Sequence, residues 1–340
     1  MGDVARRLGV SKNTVSLALR NDPQIPESTR RKVREAAAEI GYTANPVVSE
    51  LMSELRRGAT AGYKRNFAML NANVDGDAFH RHPTVPDYVA GCRRRATQLG
   101  YGLDEFWLHD AGLAGGRLES ILRARGIRGA LIIGMMKENR LPAGYDGLWR
   151  EFAVVVTGVR THEPTLNFAC VDHHALVIEA MERLRERGVR RPALVIEGVI
   201  DRLVDGRFSA AFVHAGMALR AGDRLPPFLD VDACRDAPHV FHQWLKRWRP
   251  DAILTLHTVV GEWVAAAGLR VPDDLGLVKL ECRRGCNDWA GMRQHNDLTG
   301  EAAVDLLVSL TTMGEGLTTE NPRGTLITAT WKDGCTLRAG

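Results

Sequence analysis

The sequence is poor in the features that mark exported, membrane-bound or metal-held proteins. Its six cysteines, Cys92, Cys170, Cys234, Cys282, Cys286 and Cys335, are scattered along 340 residues. Only Cys282 and Cys286 stand close, and one four-residue step without a second pair lacks the spacing of a zinc site. Free thiols and no bound metal are expected. No charged-then-apolar leader follows Met1, and no apolar run reaches the roughly 18 residues that span a bilayer, so the reading is a soluble, cytoplasmic chain without a membrane partner. A Gly-x-Ser-x-Gly elbow, a P-loop, a dinucleotide glycine pattern and a His-Glu-x-x-His pair are all missing. His173-His174 and the pair His80/His82 come nearest to a catalytic or metal cluster, but neighbouring histidines point apart in regular structure. Neither an enzyme nor a cofactor is expected.

Hydrophobic residues make up 45% of the chain and charged residues 25%, ordinary globular values. The length predicts two or three packed units, since domains run about 100–200 residues. The net charge of +4 is unevenly spread. Residues 1–66 hold 12 Lys+Arg against 7 Asp+Glu, whereas the rest hold 33 against 34. The positive excess sits in the first fifth of the chain, which suits a polyanion there and a neutral ligand elsewhere.

Three short helical patterns open the sequence. Val4, Ala5 and Leu8 make one apolar face, broken by Gly9. Ser11 has the chemistry of an N-cap for a helix from Lys12 to about Leu19, whose inward stripe is Val15, Ala18 and Leu19. Its other face shows Lys12, Asn13, Ser16 and Leu17. After a loop with Pro23 and Pro26, a third stripe of Val33, Ala36, Ala37 and Ile40 ends at Gly41. This is the pattern of a helix-turn-helix and equally of a generic three-helix bundle.

The run from Asp3 to Pro46 resembles the headpiece of the lac repressor (LacI/GalR) family. The matching residues are Asp3-Val4-Ala5, Gly9-Val10-Ser11, Thr14-Val15-Ser16, Thr29-Arg30, Val33, Gly41-Tyr42 and Asn45. The resemblance implies that Lys12 and Asn13 read bases, and the chemistry agrees: Lys donates to guanine O6/N7 and Asn pairs bidentately with adenine N6/N7. It also implies phosphate contacts from Ser11, Thr14, Ser16 and Thr29, which set register, and places Tyr42 and Asn45 in the DNA-binding set. Two departures stand out. Leu17 replaces a base-reading Arg common in the family and offers only apolar contact, so the operator should differ at that position. Family members also carry several residues ahead of Asp3, so a translation start upstream of Met1 is expected.

Val48, Leu51, Met52 and Leu55 form a further stripe, followed by the Gly- and Arg-containing run 56–62. A helix of about ten residues is marginal in water. The resemblance implies a hinge helix that orders on the operator, with Leu51 wedged into the minor groove to kink the duplex. The alternative is that Leu51 packs on the adjacent domain. Ala44 and Pro46 depart from the family pattern at the start of this helix.

From Phe67 onward strands and helices alternate. Strand-like runs are Phe67–Leu70, Ala130–Ile133, Val154–Val156, Leu194–Ile196 and Ala252–Leu254; helical stretches are Val89–Leu99, Ala175–Arg187, Phe212–Leu219 and Ala302–Leu310. Such alternation argues parallel sheets with helices on both faces, and about 270 residues suit two lobes. Gly126-Ile127-Arg128-Gly129-Ala130, Val171-Asp172, Arg249-Pro250-Asp251-Ala252-Ile253, Val271-Pro272-Asp273-Asp274-Leu275-Gly276 and Gly300-Glu301-Ala302-Ala303 are similar to landmarks of the same family. Its body has the fold of periplasmic sugar-binding proteins.

The resemblance thus implies an all-α helix-turn-helix headpiece (1–44), a hinge and linker (45–62) and an α/β periplasmic-binding-protein-like (type I) two-lobed domain (63–340). Lobe 1 is expected at about 63–188 and 289–320 and lobe 2 at about 189–288 and 321–340, with crossings near Gly188, Trp289 and Asn321. The implied effector contacts are Asp172, Gln294, Glu281 (where Asp is common) and His257 (where Asn or Asp is common). Arg207 falls one residue out of register with the family's cleft arginine. Each is equally an ordinary surface or structural residue. Trp149, Trp289 and Trp331 are either sugar-stacking platforms or core residues. The implied function is transcriptional regulation, by default repression, of a pseudo-palindromic double-stranded DNA operator by a homodimer under control of a small-molecule effector. A sugar or sugar derivative is the implied class. No heptad tail follows the last strand, so no tetramerisation helix is expected. A stand-alone sugar-binding protein is the competing reading, and it leaves the headpiece without a use.

Overall fold

The structure is a computed structural model that describes residues 2–19, 25–39, 66–114, 116–135, 138–283, 288–313 and 321–338. The chain divides into two compact units, Met1–Tyr63 and Lys64–Gly340.

In the first unit, helices α1 (Gly2–Leu8), α2 (Lys12–Leu19) and α3 (Glu27–Glu39) surround a small core. Val4, Ala5, Val15, Ala18, Val33, Ala36 and Ala37 fill it, and Leu8, Val10, Leu19 and Ile25 pack around them. Side chains this short let three helices approach closely. Gly9 turns the chain between α1 and α2 in the left-handed region, φ +63°, where a side chain is disfavoured. The Val10 amide then donates back to Ala5 O at 3.1 Å and closes the end of α1.

The second unit contains two sheets. The first has strand order β10-β5-β4-β3-β1-β2, all parallel, from β1 (Asn66–Asn71), β2 (Gly102–Trp107), β3 (Gly129–Ile133), β4 (Ala153–Thr157), β5 (Asn167–Val171) and β10 (Gly324–Ile327). The second has order β11-β9-β8-β7-β6, from β6 (Pro192–Val195), β7 (Ala252–Thr255), β8 (Gly276–Lys279), β9 (Ala290–Arg293) and β11 (Thr330–Lys332). Only the edge strand β11 runs antiparallel.

Both faces of each sheet are covered, which is why β3 and β4 are buried throughout rather than alternately. Along the first sheet Phe67, Met69, Leu131 and Val155 face α4 (Val85–Gln98) and α7 (Asn296–Met313), while Leu70, Ile132 and Val156 face Arg117–Ala124 and Asp146–Glu151. In the second, Leu194, Leu254 and Val278 pack on α5 (His173–Glu186) and α6 (Arg207–Gly216); Val195, Ile253 and Leu277 pack on Pro238–Trp248 and Val259–Ala266.

The expected lobe limits need correction. The first crossing is at Asp172, not near Gly188, because α5 lays Leu176, Val177, Ala180 and Leu184 on the second sheet. The second lies at Gln294–His295 rather than Trp289, because β9 pairs with β8 (Val278 opposite Ala290) before the chain returns as α7. The third lies at Thr328–Ala329 rather than Asn321, because β10 pairs with β5 (Leu326 opposite Cys170). Lobe 1 therefore holds β1–β5, α4, α7 and β10, and lobe 2 holds α5, α6, β6–β9 and β11.

Inside lobe 1, α4 and α7 touch backbone to backbone. A Cβ at Gly91 would lie 1.8 Å from Asp297 O, and one at Gly300 would lie 2.2 Å from Tyr88 O. This contact clamps the helix that returns at the second crossing onto the first long helix of lobe 1.

Candidate functional sites on the second helix and between the lobes

Ser11 caps α2 as its chemistry predicts. Its Oγ accepts the Thr14 amide at 3.0 Å and lies 2.9 Å from Thr14 Oγ1. Val15 and Ala18 are fully buried, so α2 has its inner face on α1 and α3, while Ser11 is exposed and Thr14 and Leu17 are half-exposed. Thr29 sits half-buried in the first turn of α3, its amide donating to Pro26 O at 2.9 Å. Lys12, Asn13 and Ser16 occupy helical positions on α2, and their side chains lie outside the described residues; so do Tyr42, Asn45, Leu51 and the hinge. Part of the basic excess is paired within this unit: Arg7 with Glu39, Arg30 and Arg34 with Glu27.

In the second unit the carboxyl ends of both sheets face each other. His162, beyond β4, meets Asp205, beyond β6, with Nε2 to Oδ1 at 2.7 Å. Arg283, beyond β8, donates from Nη1 to Pro83 O and from Nη2 to Thr84 Oγ1, each at 2.5 Å. Arg207, at the start of α6, donates to Cys170 Sγ of β5 at 3.2 Å, with Asp205 3.6 Å from its other arm. A crevice outside strand carboxyl ends is where open α/β sheets hold ligands.

All five expected effector residues line this edge, each already engaged. Asp172 Oδ1 accepts the Ala175 amide at 3.0 Å and caps α5 at the first crossing. His257 Nε2 accepts the Glu197 amide at 3.3 Å, and Nδ1 lies 3.8 Å from Glu197 Oε1. Burial holds its pKa below the ordinary histidine range, although Glu197 opposes the shift. Glu281 receives Arg283 Nη2 and, at 2.7 Å, Asn296 Nδ2. Gln294, 6% exposed, donates to Leu280 O at 2.9 Å and pins the second crossing. Arg207 is present despite its shifted register, at the start of α6 directly after Gly206, whose backbone is left-handed.

Sequence reasoning missed Tyr88, His162, Glu197, Asp205 and Arg283, and weighed His82 only as part of a histidine pair. Glu197 directly follows an expected strand, so a strand-end rule would have found it. The others stand on loops or a helix and become neighbours only when the lobes meet. His82 Nδ1 accepts the Thr84 amide at 3.1 Å, and burial with the adjacent Arg283 lowers its pKa. Burial and then Glu281 push the Tyr88 phenol well above its usual range. Burial raises the Cys170 thiol, with Arg207 opposing. His173, 5% exposed and tilted against the Phe208 ring, is driven down to about 3 by burial and by Arg207.

Trp149, Trp289 and Trp331 pack against the lobe cores instead of lining the cleft. A separate cavity of about 170 Å³ lined by Arg187, Asp251, Pro272 and Gly276 lies at the amino ends of β7 and β8, away from it. Among the described residues no group of three or more His, Cys, Asp or Glu is placed to hold a metal ion, and no helix is long and apolar enough to cross a membrane.

Residues 1–45 match the family described as bacterial regulatory proteins, lacI family, and residues 181–333 match the periplasmic binding protein-like domain. The sucrose operon repressor of Vibrio alginolyticus is 48% identical over 52 residues, 15% of this chain and 55% of that protein; the chain thus spans about half of that relative's length. The regulator CelR of Thermobifida fusca is 25% identical over 346 residues, covering 94% of this chain and 93% of that one. Among solved structures, the CelR–cellobiose complex aligns with TM-score 0.56 at 20% identity, covering 98% of each chain. The lac repressor dimer bound to operator and the anti-inducer ONPF aligns with TM-score 0.58 at 18% identity, covering 99% of this chain and 98% of that one. These relatives are transcriptional regulators rather than enzymes. The chain thus joins a headpiece that matches the lacI family of bacterial regulatory proteins to a body that matches the periplasmic binding protein-like domain.

Proposed function

We propose that the chain is a cytoplasmic repressor that binds a pseudo-palindromic operator as a homodimer and is controlled by a sugar or sugar derivative held between its lobes. The observation that carries this reading is the cleft itself, where Asp172, Arg207, His257, Glu281 and Gln294 gather at facing strand ends. Carboxylates, an imidazole and a guanidinium together supply the donors and acceptors that a polyhydroxyl ligand requires. The cellobiose-bound relative supports the class.

On the DNA side, Lys12 and Asn13 read bases, Ser11, Thr14, Ser16 and Thr29 fix register on phosphates, and Leu17 offers a thymine methyl an apolar contact. Tyr42 and Asn45 complete the DNA-facing set, and Leu51 of the hinge wedges the minor groove. One headpiece reads one half-site, so two-fold symmetry in the protein mirrors two-fold symmetry in the operator. Effector binding changes lobe closure and so biases hinge pairing.

The test is selection of bound duplexes from a random library with the full chain at about 0.1 M salt. Recovery of a pseudo-palindrome whose affinity responds to a sugar supports the reading. No preference over random DNA, with or without sugars, removes it.

A further inference from the structure

Arg283 was singled out by neither the sequence nor the family resemblance, yet it makes more connections across the cleft than any of the expected contacts. It stands two residues beyond Glu281 on the loop after β8, in lobe 2. Its Nη1 and Nη2 reach Pro83 O and Thr84 Oγ1 at the start of α4, in lobe 1. Nη2 also contacts Glu281. Its Nε is buried and has no hydrogen-bond partner among the described residues. Beside it, Asn296 is 5% exposed; its Nδ2 donates to Glu281, and its Oδ1 is buried without a partner among the described residues. His82 and Tyr88 close the surround from lobe 1, both within electrostatic reach of Arg283 and Glu281.

A buried guanidinium N–H without an acceptor is costly, because it has lost water and gained nothing. So is a buried amide oxygen without a donor. Here the two orphans sit on side chains that share one carboxylate, Arg283 on its Oε2 and Asn296 on its Oε1, and a hydroxyl has the chemistry that each lacks, an acceptor for Nε and a donor for Oδ1. We infer that Arg283 is a two-ended reader: its Nη edge locks lobe 2 onto the start of α4, and its Nε edge, with Asn296 Oδ1, takes a hydroxyl of the effector. The inference rests on the effector reading of the cleft and names the residues that couple ligand to closure. One rigid planar group serves both ends, so a ligand seated on Nε fixes the plane in which the two Nη groups meet lobe 1. Lysine, a point charge with no fork, can keep one end or the other.

The experiment has two arms on the full chain. In the first, hydrogen exchange of amides 84–89 is compared without ligand in wild type, Arg283→Lys, Arg283→Gln and Thr84→Val. Arg283→Gln is expected to speed exchange there on the order of tenfold, and Thr84→Val by less, with β6 and β7 unchanged as the control for folding. Unchanged exchange in Arg283→Gln overturns the lock. In the second arm, cellobiose, sucrose and glucose serve as probes in thermal-shift titrations. A probe that binds wild type should lose about tenfold in affinity with Arg283→Lys and with Asn296→Leu. Equal affinity in all three overturns the hydroxyl seat. If no probe shifts wild type, the effector reading of the cleft is what fails, while the lock is decided by the exchange data alone.

Discussion

His162 of lobe 1 and Asp205 of lobe 2 touch across the cleft, imidazole Nε2 to carboxylate Oδ1 at 2.7 Å, and Asp205 also lies 3.6 Å from Arg207. Asp205 holds this place with a left-handed backbone, φ +57°. The two side chains are 39% and 30% exposed, so solvent screens the pair. Asp205→Asn is expected to cost under about 1 kcal/mol of stability in urea unfolding. It should nevertheless shift the balance of lobe closure, read as a change in operator affinity that shrinks with added salt. A loss of several kcal/mol would mean the contact is structural instead of a closure contact.

The α4–α7 contact makes a sharper forecast. Gly91→Ala and Gly300→Ala each place a Cβ on backbone oxygen, at 1.8 and 2.2 Å, and backbone cannot swing aside as a side chain can. Each should destabilise by roughly 3 kcal/mol or more, as overpacking of a rigid contact does. Calorimetry of the two variants checks this, and wild-type melting would show that the helices separate freely.

His173 gives the body an acid limit. Its pKa falls from 6.5 to about 3 in the folded chain, so between those values the unfolded chain binds the extra proton. Stability from this group is therefore full above about pH 6.5 and declines as pH drops toward 3, by up to about 1.4 kcal/mol per unit. His173→Phe keeps a ring beside Phe208 and removes the proton. It should flatten the profile in that window, measured as urea midpoints from pH 7 to 4. An unaltered slope would exonerate His173.

In the headpiece, cap and reader are separable. Ser11→Ala removes the acceptor for the Thr14 amide and should cost about 1 kcal/mol of helix stability. Lys12→Ala and Asn13→Ala should instead relax preference at particular base pairs by roughly 1–3 kcal/mol each. Binding assays on a panel of operator variants distinguish these; uniform weakening on every duplex would make both residues phosphate contacts.

Leu51→Ala should reduce operator bending, seen by gel mobility of permuted duplexes, while leaving effector binding unchanged. Full bending with alanine would remove the wedge.

Much of this architecture was legible from local pattern. Gly9 before a Ser cap, the Val15/Ala18 stripe and the all-apolar runs at Ala130–Ile133 and Val154–Val156 follow from backbone geometry and solvent exclusion, which act over a few residues. Asp172, Glu281, His257 and Gln294 were named only through the family resemblance; among them His257 alone closely follows a strand that the periodicity predicts. The lobe limits were not legible. Whether α5 or β10 joins one sheet or the other depends on which partner buries its apolar face, and both lobes offer faces of the same composition.

The sequence by itself determined the alternation of elements, the two-part plan and the cap and buried stripe of α2, because periodicity and capping are properties of neighbouring residues. Tertiary structure alone decided where the chain changes lobe and which distant side chains meet: His162 with Asp205, Arg207 with Cys170, Arg283 with Thr84. These pairs come from loops whose spacing carries no period, and only the closure of two sheets around one cleft brings them within bonding distance.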